Sequence, residues 1–165
     1  MRLDTGGRLQ EVKFYRGEDF TPIERAYFLN VLFRFPLPFG RLTSGYGTRD
    51  NPFTGDSEFH KGIDLAAPLG TEVFAARDGT VGLIGVDPIM GNMIILNHEA
   101  GYQTIYGHLA EVHVQLNDAV RSGMIIGAVG TTGYSTGPHL HFEIRRRGTS
   151  RDPAALLPMP KETKR

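Results

Sequence analysis

Between Gly40 and the C-terminus, apolar residues recur at alternate positions in short runs separated by glycine, which is the pattern of half-buried strands rather than helices. Strands are predicted at residues 71–76, 79–86, 92–97, 103–106, 124–129 and 139–145. Asp78-Gly79 and Ala100-Gly101 fall where hairpin turns belong. Short strands at this spacing predict a mainly β fold, an antiparallel sandwich or barrel-like core. Upstream the pattern changes. Residues 9–15 alternate loosely, as an edge strand would. Thr21-Pro22-Ile23-Glu24 has the form of a helix start: a Thr cap, Pro in the first turn and Glu three residues after the cap. A short helix over residues 22–32 follows, with Ile23, Tyr27 and Val31 at helical spacing, and Pro36 and Pro38 end it. The organisation expected is therefore a strand–helix N-terminal extension (1–40), a β domain (41–158) and a flexible tail (159–165).

Composition narrows the function classes. A chain of 165 residues with 40% hydrophobic and 22% charged residues can fill one ordinary core. The 21 glycines and 10 prolines fit a turn-rich β fold. The formal net charge of zero argues against a nucleic-acid partner held by bulk charge. With no cysteine, disulfides, thiolate metal sites and cysteine nucleophiles are excluded. No run approaches the roughly 18 apolar residues of a membrane span. Met1 to Gln10 is polar and lacks the apolar stretch of a signal peptide. The chain is thus expected to be either cytoplasmic or the processed part of something longer, and monomeric.

Candidate chemistry lies in the histidines, at positions 60, 98, 108, 113, 139 and 141. In His60-Lys61-Gly62-Ile63-Asp64 the glycine and the turn-rich flanks argue against a helix. An extended run puts His60, Gly62 and Asp64 on one face, and Gly62 would leave space for an ion about 2 Å from each ligand. The competing reading is a surface His beside an Asp near a turn. His139-Leu140-His141-Phe142-Glu143-Ile144 alternates cleanly. It places two imidazoles and Glu143 on one face, as a metal site or a catalytic pair would, or as polar residues of a solvated face. Tyr106-Gly107-His108-Leu109 ends another strand, and Gly107 permits a close backbone approach. Two His and one carboxylate supply three ligands and keep a fourth position for water, the composition of a catalytic zinc site. Imidazoles argue against calcium and magnesium, whereas a non-haem iron triad uses the same ligand set.

The chain resembles the lysostaphin-type and LytM-type zinc metallopeptidases that cut peptidoglycan. The residues that carry the resemblance are Ser44-Gly45-Tyr46-Gly47-x-Arg49-x-Asn51-Pro52, His60-x-Gly62-x-Asp64 and Ala67-Pro68-x-Gly70-Thr71. Further on come Ala76-x-Asp78-Gly79, Tyr106-x-His108-Leu109 and Ser135-Thr136-Gly137-Pro138-His139-Leu140-His141-Phe142-Glu143. They occur in the family's order over roughly residues 41–157. The resemblance implies one zinc ion on His60, Asp64 and His141, catalytic histidines at His108 and His139, and structural or surface roles for His98 and His113. It implies an endopeptidase acting on peptidoglycan stem peptides and cross-bridges, hence a cell-envelope location, periplasmic or extracellular, with the export signal outside this chain. The bond cut is either a glycine bridge or a D-amino-acid cross-link. An alternative is a non-catalytic LytM-like module that activates another hydrolase, but such modules lose ligands and all five positions are filled here. A biotinyl or lipoyl carrier fits the hairpin pattern less well, because its one candidate lysine, Lys61, lies inside the metal motif. Glu143 is a candidate to orient a ligand, and Arg145-Arg146-Arg147 reads as a solvated turn or a grip for carboxylates. The N-terminal extension is expected to pack beside the groove or over it.

Overall fold

A computed structural model describes residues 33–159 in full, together with the backbone of two short strands before them. Those two, β1 (Arg2–Leu3) and β2 (Leu9–Glu11), pair antiparallel. The strand expected at 9–15 is therefore seen over its first three residues. The rest of it and the helix expected at 22–32 lie outside the described residues.

The main body is one ten-stranded antiparallel sheet. Its central pair is β10 (Tyr102–Val112) and β13 (His139–Arg146). Beyond β10 lie β9 (Gly91–Asn97), β8 (Gly79–Asp87) and β11 (Ala119–Val120); beyond β13 lie β6 (Ile63–Ala66) and β3 (Arg41–Ser44). Off this path, β12 (Ile125–Val129) pairs with β10 and with β7 (Glu72–Phe74), and β14 (Thr149–Arg151) pairs with β13. A separate ribbon joins β4 (Gly47–Asp50) to β5 (Ser57–His60). The mainly β, antiparallel expectation holds, and the sheet is open: its end strands β11 and β3 do not meet.

The alternation read from the sequence decides which face carries the core. Leu140, Phe142 and Ile144 of β13 are fully buried, packed with Ile94 and Leu96 of β9, Tyr106 of β10 and Leu65 of β6. Each such apolar side chain contributes about 1.5–3 kcal/mol by leaving water. Because side chains on a strand alternate, His139, His141 and Glu143 emerge on the opposite face.

Two turn and strand assignments need correction. Ala100-Gly101 is the expected β9–β10 hairpin turn, with φ of 57° and 74°. Asp78-Gly79 is not a hairpin turn, since β7 pairs with β12 rather than β8. The β8 hairpin instead turns after Asp87, whose carboxylate accepts from the amides of Ile89 (2.8 Å) and Met90 (2.9 Å), an Asx turn with no Asn-Gly signature. The strand expected at 103–106 runs on to Val112. Up to Gly107 it pairs with β13, and from Leu109 it pairs with β12. His108 sits at the switch, in a bulge with φ of 61°.

Candidate metal centre

Three strands bring the predicted ligands together. His141 of β13 lies directly opposite Asp64 of β6 in the antiparallel register. His60 arrives from the end of β5, in the separate ribbon. The His60–Asp64 stretch is thus not one extended run, as the alternation suggested, but two strands with a bend at Lys61-Gly62 between them. Gly62 has a different reason as well. A Cβ there would collide with the Phe142 carbonyl and lie 2.9 Å from Glu143 Cγ, so glycine is needed for the bend to close against β13 rather than to leave room for an ion. Gly62→Ala is expected to destabilise the protein by about 3 kcal/mol, the upper range for overpacking against unyielding neighbours. Gly45→Ala, with nothing within 4 Å of the added methyl, serves as the control. Urea titration of both variants measures the difference.

The three donor atoms face one another closely. His141 Nδ1 is 2.8 Å from Asp64 Oδ1 and 3.1 Å from His60 Nε2, and His60 Nε2 is 3.3 Å from Asp64 Oδ1. Zinc–ligand bonds of about 2.0–2.1 Å in a tetrahedron imply donor separations of about 3.3 Å, close to these. The outer nitrogens fix the tautomers. His60 Nδ1 donates to the Gly45 carbonyl (2.7 Å), and His141 Nε2 donates to Glu143 Oε1 (3.0 Å). In the neutral rings the inner nitrogens therefore carry lone pairs, aimed at each other and at a carboxylate. A proton between His141 and Asp64 satisfies that pair but leaves His60 Nε2 facing them. A single cation satisfies all three, and these residues form a group able to hold a metal ion.

Charge in the surroundings supports the same conclusion. Burial would raise the Asp64 pKa, but the His141 and His60 rings beside it, which donate to the carboxylate when protonated, outweigh it and hold the carboxyl far below the usual range. Arg49 Nη1 also meets Asp64 Oδ2 at 2.9 Å, while its Nε holds Glu58 at 2.8 Å. Burial pushes His141 down, yet its bonds to Asp64 and Glu143 raise it overall, so a proton competes for the site when no cation is there. Glu143 is in turn clamped by Arg145, with Nη2 2.7 Å and Nε 2.9 Å from Oε2. Arg49, part of the Ser44–Pro52 motif, and Arg145 thus brace the carboxylates of the cluster, a placement the sequence does not show. Arg145 is legible in hindsight, because it stands two residues past Glu143 on the same face of β13. The solvated turn expected at 145–147 is confined to Arg147-Gly148, both at positive φ.

The second imidazole pair adjoins the first. His108 and His139 rings lie 4.5 Å apart, and His139 Nε2 is 3.8 Å from Asp64 Oδ1. Each donates its Nδ1 proton to a backbone carbonyl, His108 to Thr132 and His139 to Gly137, both at 2.8 Å. Each therefore keeps Nε2 as its basic atom. Burial, reinforced by the neighbouring His139 and His141, pushes His108 down to about 4 against the pull of the Thr132 carbonyl. His98 and His113 have partners elsewhere. His98 is bonded to the Asp78 carbonyl and Thr104 Oγ1, and exposed His113 to Glu111.

All four imidazoles open into a cleft of about 620 Å³. Phe53 and Tyr134 on its walls touch, with ring centroids 3.6 Å apart. A His–Asp–His group able to hold a metal ion, with two further imidazoles lining the same cleft, has the make-up of a metal-dependent hydrolase site. The chain belongs to Peptidase family M23, whose sequence model matches residues 58–153. It is 42% identical over 129 residues to the DD-carboxypeptidase/endopeptidase Mpg of Neisseria meningitidis serogroup B, covering 78% of this chain and 30% of that protein. The chain thus spans under a third of the length of that relative. Among solved structures, a zinc containing peptidase from Vibrio cholerae matches with a TM-score of 0.70 and 36% identity, over 76% of this chain and 39% of the other. The catalytic domain of lysostaphin from Staphylococcus simulans matches with a TM-score of 0.64 and 33% identity, over 78% and 94% of the two chains.

Proposed function

We propose that this chain is a zinc-dependent endopeptidase that hydrolyses peptide cross-links in bacterial peptidoglycan, acting in the cell envelope, with residues 41–158 as its peptidase domain. The observation that carries the reading is the convergence of His60 Nε2, His141 Nδ1 and Asp64 Oδ1 within 3.3 Å of one another, each imidazole locked in the tautomer that presents a lone pair. The substrate class is supported by a relative named peptidoglycan DD-endopeptidase ShyC, of Vibrio cholerae, 39% identical over 124 residues and covering 74% of this chain and 29% of that protein.

In this reading His60, Asp64 and His141 hold the ion, and His108 and His139 are the catalytic residues. Bound there, zinc supplies Lewis acidity, polarising the scissile carbonyl and acidifying an attacking water. The chain's own residues manage the protons. The depressed pKa of His108 keeps it neutral at pH 7, able to accept a proton at Nε2. Once protonated, either imidazole becomes a donor that stabilises the oxyanion or protonates the departing amine. His108 is itself buried, and Arg145 and Glu143 keep the His141 ring from rotating.

Isolated cell walls provide the test. Zinc-loaded protein is expected to release soluble fragments bearing new amino termini, chelator to stop the release, and added zinc to restore it. Intact walls after prolonged digestion with the zinc-loaded protein would refute the reading. Tight wall binding without a new amino terminus would mark a non-catalytic module instead. The masses of the fragments identify the bond.

A further inference from the structure

His108 is held more tightly than its backbone conformation would allow unaided. It is a non-glycine residue in the left-handed region, at the bulge where β10 exchanges one partner strand for another. Four bonds hold His108 and the residue after it, two on His108 and two on the Leu109 carbonyl. The His108 amide donates to the Met90 carbonyl at 2.6 Å, and its Nδ1 donates to the Thr132 carbonyl at 2.8 Å. The next carbonyl, Leu109, accepts twice: from Thr132 Oγ1 at 2.8 Å and from Asn92 Nδ2 at 3.0 Å. The Thr132 hydroxyl itself accepts from the Asn92 amide at 3.0 Å. It therefore both donates and accepts, tying the 130–138 loop to the β9 end and to the bulge simultaneously. The loop is also packed without slack, since an added Cβ at Gly91 would collide with Thr132.

We propose that Thr132 is a positioning residue for His108: its hydroxyl pins the loop onto the bulge, so that its own carbonyl meets Nδ1 and holds the ring in the tautomer with Nε2 basic. The proposal rests on the reading of His108 as a catalytic group. Thr132 touches neither the metal-competent donors nor, through its hydroxyl, the ring. Its effect passes through the Leu109 carbonyl and the loop backbone. Thr132→Val keeps the shape, removes the hydroxyl, and leaves the Asn92 amide without its acceptor. Without that tie the Thr132 carbonyl drifts from Nδ1, and the ring gains a second tautomer and a second orientation. A misplacement of about 1 Å costs about a hundredfold in rate.

The test compares wild type, Thr132→Val and Thr132→Ser as zinc-loaded 165-residue chains, with two readouts. The first is kcat and KM on peptidoglycan fragments. Thr132→Val is expected to lower kcat about 10- to 100-fold with KM within about twofold, and Thr132→Ser to recover most of the loss. The second readout needs no turnover: nitrogen-15 resonances of the His108 ring. Wild type and Thr132→Ser should each show one protonated nitrogen, Nδ1, and one unprotonated, Nε2, whereas Thr132→Val should show averaged values. Metal content and thermal stability confirm that each variant is folded and loaded. Unchanged kcat and an unchanged nitrogen pattern in Thr132→Val overturn the proposal. So does a Thr132→Ser variant as impaired as Thr132→Val, because the methyl group rather than the hydroxyl would then matter. If the wild type itself cleaves no wall fragment, the functional reading fails, and the nitrogen pattern alone decides whether Thr132 sets the tautomer.

Discussion

His141→Ala is expected to lose metal and turnover together. The remaining donors, His60 and Asp64, keep only one of the three close contacts, and Glu143 is left buried without its imidazole partner. Removing an outer hydrogen-bond partner already costs about 10–100-fold in affinity, so loss of a ligand is expected to lower zinc affinity by at least a hundredfold. Metal content after gel filtration and hydrolysis of wall fragments read the two losses. The pH dependence follows from the raised pKa of His141 in the metal-free state. A raised folded pKa means that the His141 cation, held by Asp64 and Glu143, stabilises the metal-free protein below the unfolded value. That stabilisation is lost as pH rises through the folded pKa. Metal must displace the same proton, so zinc affinity falls as the medium becomes acidic. The rise in melting temperature on adding zinc should therefore grow with pH across this window. A zinc-induced rise that shrinks with increasing pH would contradict the assignment of His141 as a ligand.

His108→Ala is expected to separate binding from chemistry. The ring lies outside the triad, tied to Thr132, so zinc content should match the wild type while kcat falls about 10²–10⁴-fold, the range for a lost general acid or base. Equal zinc loss in His108→Ala and His141→Ala would contradict the division between ligand and catalytic histidines. Because its pKa is depressed to about 4, His108 stays neutral through the mildly acidic range. Protons compete with the ion for the His141 site, so excess zinc should shift the acid limb of activity downward.

Much of the site was legible because strand alternation is a local rule. The run from His139 to Ile144 announces its two faces: apolar Leu140, Phe142 and Ile144 are fully buried, and His139, His141 and Glu143 share the other side. The same rule misled at His60 to Asp64, where the periodicity of a strand cannot show that the chain bends. The bend at Gly62 exists because β13 lies against it, a contact some eighty residues away in sequence. Arg145 was misread for a related reason. Its partner Glu143 and the position of the turn at Arg147-Gly148 depend on where β14 pairs.

By itself the sequence determined the mainly β character and the two faces of strands such as the run from His139 to Ile144, and it singled out His60, Asp64, His139 and His141 as candidates for metal or proton chemistry; His108 joined them through the family resemblance. The first of these depend on residue type and on spacing along a few consecutive positions. Only the tertiary structure decided that His60 comes from a separate ribbon, that Gly45 and Glu143 fix the tautomers of His60 and His141, and that His108 sits in a bulge anchored by Thr132 and Met90. Those are hydrogen bonds and pairings between distant segments. They form only when the whole sheet is assembled, because each depends on register, bulge and turn choices that no short stretch of chain makes alone.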